Sequence, residues 1–325
     1  TTTNATFTGI DTSKTYTIGW NGYADDMIEL NAGNGWFRTT EVGSPNNPSS
    51  GDTGAKFKYT VPTGYQPLST IKRIMAYTTI NKSSDYFNST IYTGNGTART
   101  ITVGLQPDLV WTKSRSAGHH GIITDATTGA GKRLRTSVTS AQDVSGASVA
   151  SFVSTGYTLT DNSTINGNSE TNVSWSWKGG GGQGSSNTDG SINTTYTSAN
   201  TTSGVSIVSY TGTGSAATIG HGLGTVPKVI ISKKLNDTSS WMVYHASLGN
   251  NKEMYLNATD ASSNASATWN STTPTSSVWS VSNDANNTSG STYVSYVFAE
   301  KTGFSKFGSY TGNANANGTF IYTGF

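Results

Sequence analysis

Few stretches of this chain carry residue types that do chemistry, and each lacks a partner that the chemistry requires. Asp25, Asp26 and Glu29 form the one local acidic cluster; paired carboxylates hydrolyse glycosides or hold Ca²⁺, but the setting suits a solvated turn at a strand end better. "TTGAGKRL" (Thr127 to Leu134) imitates a phosphate loop, yet Ala126 stands where the first glycine is required. Arg133 occupies the place of the Mg²⁺-binding hydroxyl. "GGGGQG" (Gly179 to Gly184) opens onto Ser, Asn and Asp-Gly rather than onto a helix whose N-terminus could hold a pyrophosphate, and is expected to be a hinge. His119 and His120 are adjacent and would point to opposite faces of a strand. His221 and His245 have no clustered carboxylate to complete a metal site.

The chain has no cysteine, which removes disulfides, thiol nucleophiles and thiolate metal sites together. No catalytic, cofactor-binding or metal-binding residue is therefore assigned, no cofactor is expected, and receptor-binding residues stay unidentified. Lys132, Arg133 and Arg135 make a short basic run, but the matching stretch further on is "NKEMYL", where Glu253 replaces a cation. With a formal charge of +2 there is too little positive charge to drive phosphate binding, and no nucleic-acid partner is expected. The Asn-x-Ser/Thr matches at Asn88, Asn95 and Asn257 follow from the abundance of those residues and are no evidence of glycosylation.

The elements that must hold these residues are strands. Charged residues make up 12% of the 325-residue chain and aromatics 10%, so there is apolar surface to bury beneath a neutral Thr/Ser/Asn exterior. No run reaches the roughly 18 apolar residues of a membrane-spanning helix, and no membrane insertion is expected. Period-two alternation in "TNVSWSW", "VSIVSY" and "TYVSYVF", punctuated by Gly, Asn and Asp-Gly, is strand chemistry. The stretch Leu68 to Ile80 is β-branched and preceded by Pro67, which argues against a long helix.

Internal self-similarity then organises the chain. Tyr-Thr-Gly recurs at Tyr92, Tyr210 and Tyr310, at intervals of 210 − 92 = 118 and 310 − 210 = 100. Pro107 pairs with Pro227, Trp111 with Ile231, and Lys113 with Lys233. Val173, Trp175 and Trp177 pair with Val294, Tyr296 and Phe298; the separations of 120 for the prolines and 121 for the valines mark a duplication. The expected fold is all-β, with tandem jelly-roll or lectin-like β-sandwich modules joined by short Gly/Ser/Asn-rich linkers. An N-terminal β domain covers 1–91, the first repeat 92–204 with its Gly-rich linker, the second 205–306, and the truncated start of a third 307–325. Alternation puts Val173, Trp175 and Trp177 on one strand face as core, with the small polar residues facing out. A sugar-stacking platform is the competing reading of the two tryptophans. Beginning on Thr1–Thr3 and stopping inside a repeat, the chain reads as a piece of a longer protein.

The strings "YTGNGTARTITVGLQPDLVWTKSRS", "VSIVSYTGTGSAATIGHGLGTVPKVIISKK", "WMVYHASLGNNKEMYLNATDA" and "GFSKFGSYTGN" resemble the repeated domain of large tail-fibre-like structural proteins of marine bacteriophages. "KFKYTVPTGYQPLST" with "DYFNSTIYTG" resembles the segment that closes a SPRY or lectin-like sandwich before those repeats. Around "HHGIITDATTGAGKRL" the chain departs from the family, which more often carries an Arg-Gly turn there, and residues 1–56 match only loosely.

The resemblance implies a virion surface protein on tail or capsid and no enzyme. Its functional expectation is a tail-fibre-like appendage with a host-attachment role, against a capsid-surface fibre or decoration protein, or a glycan-active enzyme with accessory sandwiches. Expected partners are other virion proteins, a host-surface glycan, and further copies of the chain. End-to-end faces between small modules are usually mobile, so lateral association of chains is expected to stiffen the fibre, with a trimer as the assembly the resemblance suggests.

Overall fold

The computed structural model describes residues 80–144, 149–161, 164–282 and 285–323, together with one short strand pair upstream. That pair, β1 (Trp36–Phe37) and β2 (Thr40–Glu41), lies in the unit Thr1–Arg73; everything below lies in the unit Ile74–Phe325. The "KFKYTVPTGYQPLST" part of the SPRY-like or lectin-like segment and the Asp25, Asp26 and Glu29 cluster fall outside the described residues, whereas the "DYFNSTIYTG" part is described and supplies the strand Phe87–Thr93 of the unit Ile74–Phe325.

The fold is all-β and antiparallel. Alternating Val, Ile, Thr, Tyr and Trp with turn residues between them favour strands, and among the described residues the one helical element is a single 3₁₀ turn at Ser83–Asp85. Eight strands follow: β3 (Phe87–Thr93), β4 (Arg99–Thr102), β5 (Leu109–Ser114), β6 (Ile122–Asp125), β7 (Leu134–Arg135), β8 (Val149–Val153), β9 (Gly156–Leu159) and β10 (Thr171–Trp177). They form a large sheet in the order β3-β10-β5-β6-β7 and a small one in the order β4-β9-β8.

A second set follows: β11 (Tyr196–Asn200), β12 (Val205–Thr211), β13 (Ala217–Gly220), β14 (Val229–Lys234), β15 (Met242–His245), β16 (Lys252–Tyr255), β17 (Ser263–Asn264), β18 (Val278–Val281) and β19 (Thr292–Phe298). Its large sheet runs β11-β12-β19-β14-β15-β16-β17, and its small sheet pairs β13 with β18. With β11 and β17 set aside, the large sheets share one strand order. The register is shared too: Trp175 sits opposite Trp111 as Tyr296 sits opposite Ile231, and Val173 opposite Lys113 as Val294 opposite Lys233. The first strand starts at Phe87, upstream of Tyr92, and β11 adds to the second sheet ahead of Val205.

Each module encloses a core between its large and small sheets: Tyr92, Ile101, Val110, Ile122, Tyr157 and Leu159 in the first, and Val208, Tyr210, Ile230, Trp279, Tyr293 and Val297 in the second. A third core lies between the modules. Leu109, Ile123 and Leu134 of the first large sheet pack with Ile207, Trp241, Val294 and Tyr296 of the second. The order is therefore small sheet, large sheet, large sheet, small sheet, with apolar side chains at all three junctions.

This overturns the expected orientation of β10. Asn172, Ser174 and Ser176 face the interior of the first sandwich and are fully buried, whereas Val173, Trp175 and Trp177 lie half-buried on the outer face beside Trp111; at the equivalent positions of the repeat Val294 and Tyr296 are buried and Phe298 and Ile231 half-buried. Alternation separates two faces but does not say which neighbour covers each. Here both are covered, because the outer face is the one that meets the other module: Trp177 meets its counterpart Phe298 ring to ring at 6.1 Å.

Hydrogen bonds cross the same junction. Tyr296 OH donates to Asp125 Oδ2 at 2.9 Å, Trp241 Nε1 to the Arg135 carbonyl at 3.0 Å, and Lys233 Nζ to the Thr139 carbonyl at 3.3 Å. The backbone joins as well, Gln142 N donating to the Leu235 carbonyl at 2.8 Å and Ser239 N to the Thr139 carbonyl at 2.9 Å. A mobile end-to-end contact was expected. The structure instead stacks the modules through their broadest faces.

The repeated Tyr-Thr-Gly has a local cause. Tyr92 OH donates to the Ile165 carbonyl at 2.6 Å and Tyr210 OH to the Asn286 carbonyl at 2.7 Å. A Cβ on Gly94 would stand 2.2 Å from the Gly167 carbonyl oxygen, and one on Gly212 2.4 Å from that of Thr288, so only glycine fits. Beside each glycine a fully buried asparagine brackets the turn: Asn287 accepts from Thr213 N at 2.9 Å and donates to the carbonyls of Ser215 and Ser282 at 2.6 and 2.7 Å. Asn166 does the same for Asn95, Thr97 and Thr160. The third copy of the motif forms no strand, and Tyr310 is 68% exposed. β3 and β12 each pair with the last strand of their own module, and Tyr310–Gly312 has no such partner among the described residues.

Replacing Asn287 with Ala removes the bracket and with it the bonds to Thr213, Ser215 and Ser282, so urea unfolding should show a loss of about 1–3 kcal/mol; a loss under about 0.5 kcal/mol would refute the bracket. Lys233 gives a pH signature. Burial first, and the neighbouring Lys234 charge second, push its ammonium down from 10.5 to about 8, with Asp237 opposing. Between those values the unfolded chain binds more protons than the folded one, so stability rises with pH. Above about pH 10 the unfolded tyrosines ionise while buried Tyr92 and Tyr210 are held protonated by desolvation, which reverses the trend. Denaturation between about pH 8 and 9.5 should show that rise in the wild type and its absence in Lys233→Met; parallel profiles would contradict it.

Candidate functional site

The turn from β6 to β7 is organised by one carboxylate. Asp125 accepts from Thr127 Oγ1 at 2.7 Å, Thr128 N at 2.8 Å and Thr128 Oγ1 at 3.0 Å, besides Tyr296 of the second module. The phosphate-loop look-alike is this turn: it connects two strands, and Gly129 and Gly131 carry the left-handed backbone that the reversal requires. Arg133 and Arg135 both reach Asp143, at 2.7 and 2.8 Å. The basic run is thereby spent internally except for Lys132.

The glycine run is not a loose hinge. Asp108, buried at the entry to β5, accepts from Gly179 N at 2.7 Å, Gly181 N at 3.1 Å and Gly182 N at 2.5 Å. Three converging backbone N–H groups form a concave anion site, and the anion is the protein's own. Burial pushes the Asp108 carboxyl up, and the glycine N–H groups and Lys178 hold it back. Ser198 of β11 fastens the other side, accepting from Gly180 N at 3.0 Å and donating to the Gly182 carbonyl at 2.7 Å. The connection is therefore tied to both modules.

Where these pieces converge the modules leave a cleft of about 360 Å³. Thr127, Thr128 and Lys132 line it from the β6–β7 turn, Gln142 and Gln183 from the loops, and Tyr196, Ser209 and Asn236 from the second module. Gln183 Nε2 donates to the Thr127 carbonyl at 3.1 Å, and Asn236 Oδ1 accepts from Thr292 N at 3.2 Å. A smaller gap of about 200 Å³ lies among Phe87, Trp177, Val205, Phe298, Phe304 and Phe307.

The histidines are placed separately. His119 Nε2 lies 3.2 Å from Glu170 Oε1, while His120 Nδ1 lies 2.7 Å from Ser137 Oγ. His221 is buried, which pushes its imidazole pKa down; Nδ1 accepts from Leu223 N and Nε2–H donates to the Thr275 carbonyl. His245 Nδ1 accepts from Ser247 N. Among the described residues no three His, Cys, Asp or Glu side chains gather as a metal site would require. Asn88 and Asn257 are engaged by their side chains with Val103 and Trp241 respectively, and Asn95 caps its own turn at Thr97. Glu253 is a buried acceptor, taking Thr268 Oγ1 at 2.6 Å and the Tyr255 hydroxyl. Sequence reasoning missed the cleft, and it missed Asp108, for which an acid directly after Pro107 and the glycine run that closes the same module were the only signals.

No curated protein and no solved structure matches the chain. Residues 82–325 match a family described as a domain of unknown function, DUF7483, and the match runs through both modules and the glycine connection between them. Since that span is well over half of the chain, the protein belongs to the DUF7483 family.

Proposed function

We propose that this chain is a structural component of a bacteriophage virion, a tail-fibre-like appendage that holds a host-attachment surface away from the particle. The observation that carries the reading is the third core: two sandwiches fused through their large sheets make one stiff block, as a load-bearing spacer requires. The clamped glycine connection removes the remaining freedom between the two sandwiches. The resemblance of the Tyr-Thr-Gly repeats to tail-fibre-like proteins supplies the virion context, and the neutral hydroxyl- and amide-rich surface suits an extracellular rod. The chain acts by binding and support rather than by catalysis.

Copies of the chain associate laterally in this proposal, a cyclic trimer being the assembly suggested by the resemblance. Since stiffness is already built into each chain, the role of the bundle is to thicken the fibre and multiply attachment sites. The second placement, a fibre or decoration on the capsid, uses the same block. Gold-labelled antibody against residues 82–325, imaged on purified particles of the phage carrying the gene, is expected to mark fibres at the tail. Label on the capsid shell would favour the decoration role, and particles without label would overturn the virion reading.

A further inference from the structure

The gap among Phe87, Trp177, Val205, Phe298, Phe304 and Phe307 repeats a pattern of paired residues and leaves the last pair incomplete. In the first module the strand that opens the sandwich begins at Phe87, directly opposite the aromatic residue that closes it, Trp177, with ring centroids 5.1 Å apart. In the second, Val205 of β12 stands opposite Phe298 of β19. One backbone bond repeats as well. The residue after the closing strand donates to the residue before the opening strand, Lys178 N to the Tyr86 carbonyl and Ala299 N to the Gly204 carbonyl, each at 2.8 Å.

Phe304 holds the same position a third time. Gly303 precedes it as Gly204 precedes Val205, the two glycines in left-handed backbone at φ 73° and 75°, and a serine follows in each case on the way to Tyr-Thr-Gly. Here both partners are missing among the described residues. No described N–H donates to the Gly303 carbonyl, and Phe304 borders the gap of about 200 Å³ instead of a closing aromatic ring. The wall is already fixed: Phe304 N donates to the Lys301 carbonyl at 2.9 Å, Phe307 N to Glu300 Oε1 at 3.0 Å, and the Phe307 ring packs on Phe298 at 6.1 Å. An apolar cavity of roughly 150 Å³ takes a benzene ring, so this gap has room for one aromatic side chain. Beyond it Tyr310, Phe320 and Tyr322 stand 68%, 87% and 77% exposed, in a segment that forms no strand. In both modules the strand that carries Tyr-Thr lies against the closing strand.

We propose that this end of the block is a strand-accepting socket: it receives the closing strand of a further sandwich of the same family, in series with these two, whose terminal aromatic side chain fills the gap and whose next N–H donates to the Gly303 carbonyl. That strand pairs with residues 304–312 as β10 pairs with β3 and β19 with β12. The inference goes beyond the virion reading and does not depend on it, because it concerns how one sandwich is joined to the next in whatever assembly the chain serves.

The probe is a dye-labelled peptide with the sequence of residues 292–300, the closing strand of the second module and the two residues after it, added to the full chain and followed by fluorescence anisotropy. Saturable one-to-one binding is expected. A peptide carrying Phe298→Ser should bind about tenfold or more weakly, the scale of one aromatic ring left unburied, and it leaves the folded chain untouched. Ser309→Pro in the exposed tail of the chain removes a backbone donor from the accepting segment. It should weaken binding at least as much with unchanged melting, because Ser309 belongs to neither sandwich. No binding of the parent peptide would overturn the socket. So would equal binding of the serine peptide, or equal binding by the Ser309→Pro chain, the last being what displacement of β19 from its own module would give.

Discussion

The structure depends on one constraint: each large sheet carries apolar side chains on both faces, and both must be removed from water. The small sheet covers one face only. Trp177, Leu109, Ile123 and Leu134 in the first module, and Ile207, Val294 and Tyr296 in the second, would otherwise stand as exposed patches that associate indiscriminately. Packing the two large sheets against each other satisfies both at once. It also explains why residues at equivalent register positions, Trp177 and Phe298, touch across the junction.

Polar groups make that junction specific. An apolar face alone allows sliding, whereas Asp125 has to meet Tyr296, and the Arg135 and Thr139 carbonyls have to meet Trp241 and Lys233. Each of these groups, buried and unpaired, would be costly, so the arrangement is held to one register. Asp108 does the same for the connection. A segment of consecutive glycines has the highest conformational entropy a chain can offer, and the carboxylate offsets that loss with three charge-assisted bonds in one place.

Much of this was legible in the sequence. The duplication marked which residues of the two modules are equivalent, and Trp111 with Ile231, Lys113 with Lys233 and Trp175 with Tyr296 do hold matching register positions, because the strand order is the same whatever covers the sheet. The faces were not legible. Ser174 and Ser176 look like a solvent face until the partner sheet is known, and Trp175 looks like core when it belongs to the outside of its own sandwich. The glycine hinge failed for a related reason: flexibility is a local property of Gly179 to Gly184, while the clamp comes from an acid across the module. The asparagine brackets were hidden because the chain is rich in Asn, and Asn166 and Asn287 are distinguished only by burial. The cleft, assembled from turns of both modules, has no signature along the chain at all.

Hydrogen exchange on a core variant tests most directly that the shared face makes the two modules one cooperative unit. Leu134 belongs to the first module and is buried in the junction; Leu134→Ala should cost about 2–5 kcal/mol. If the modules unfold together, protection must fall by the same amount at the slowest-exchanging amides of β10 in the first module and β19 in the second. A loss confined to the first module, with β19 amides exchanging as in the wild type, would show two independent sandwiches and contradict the account.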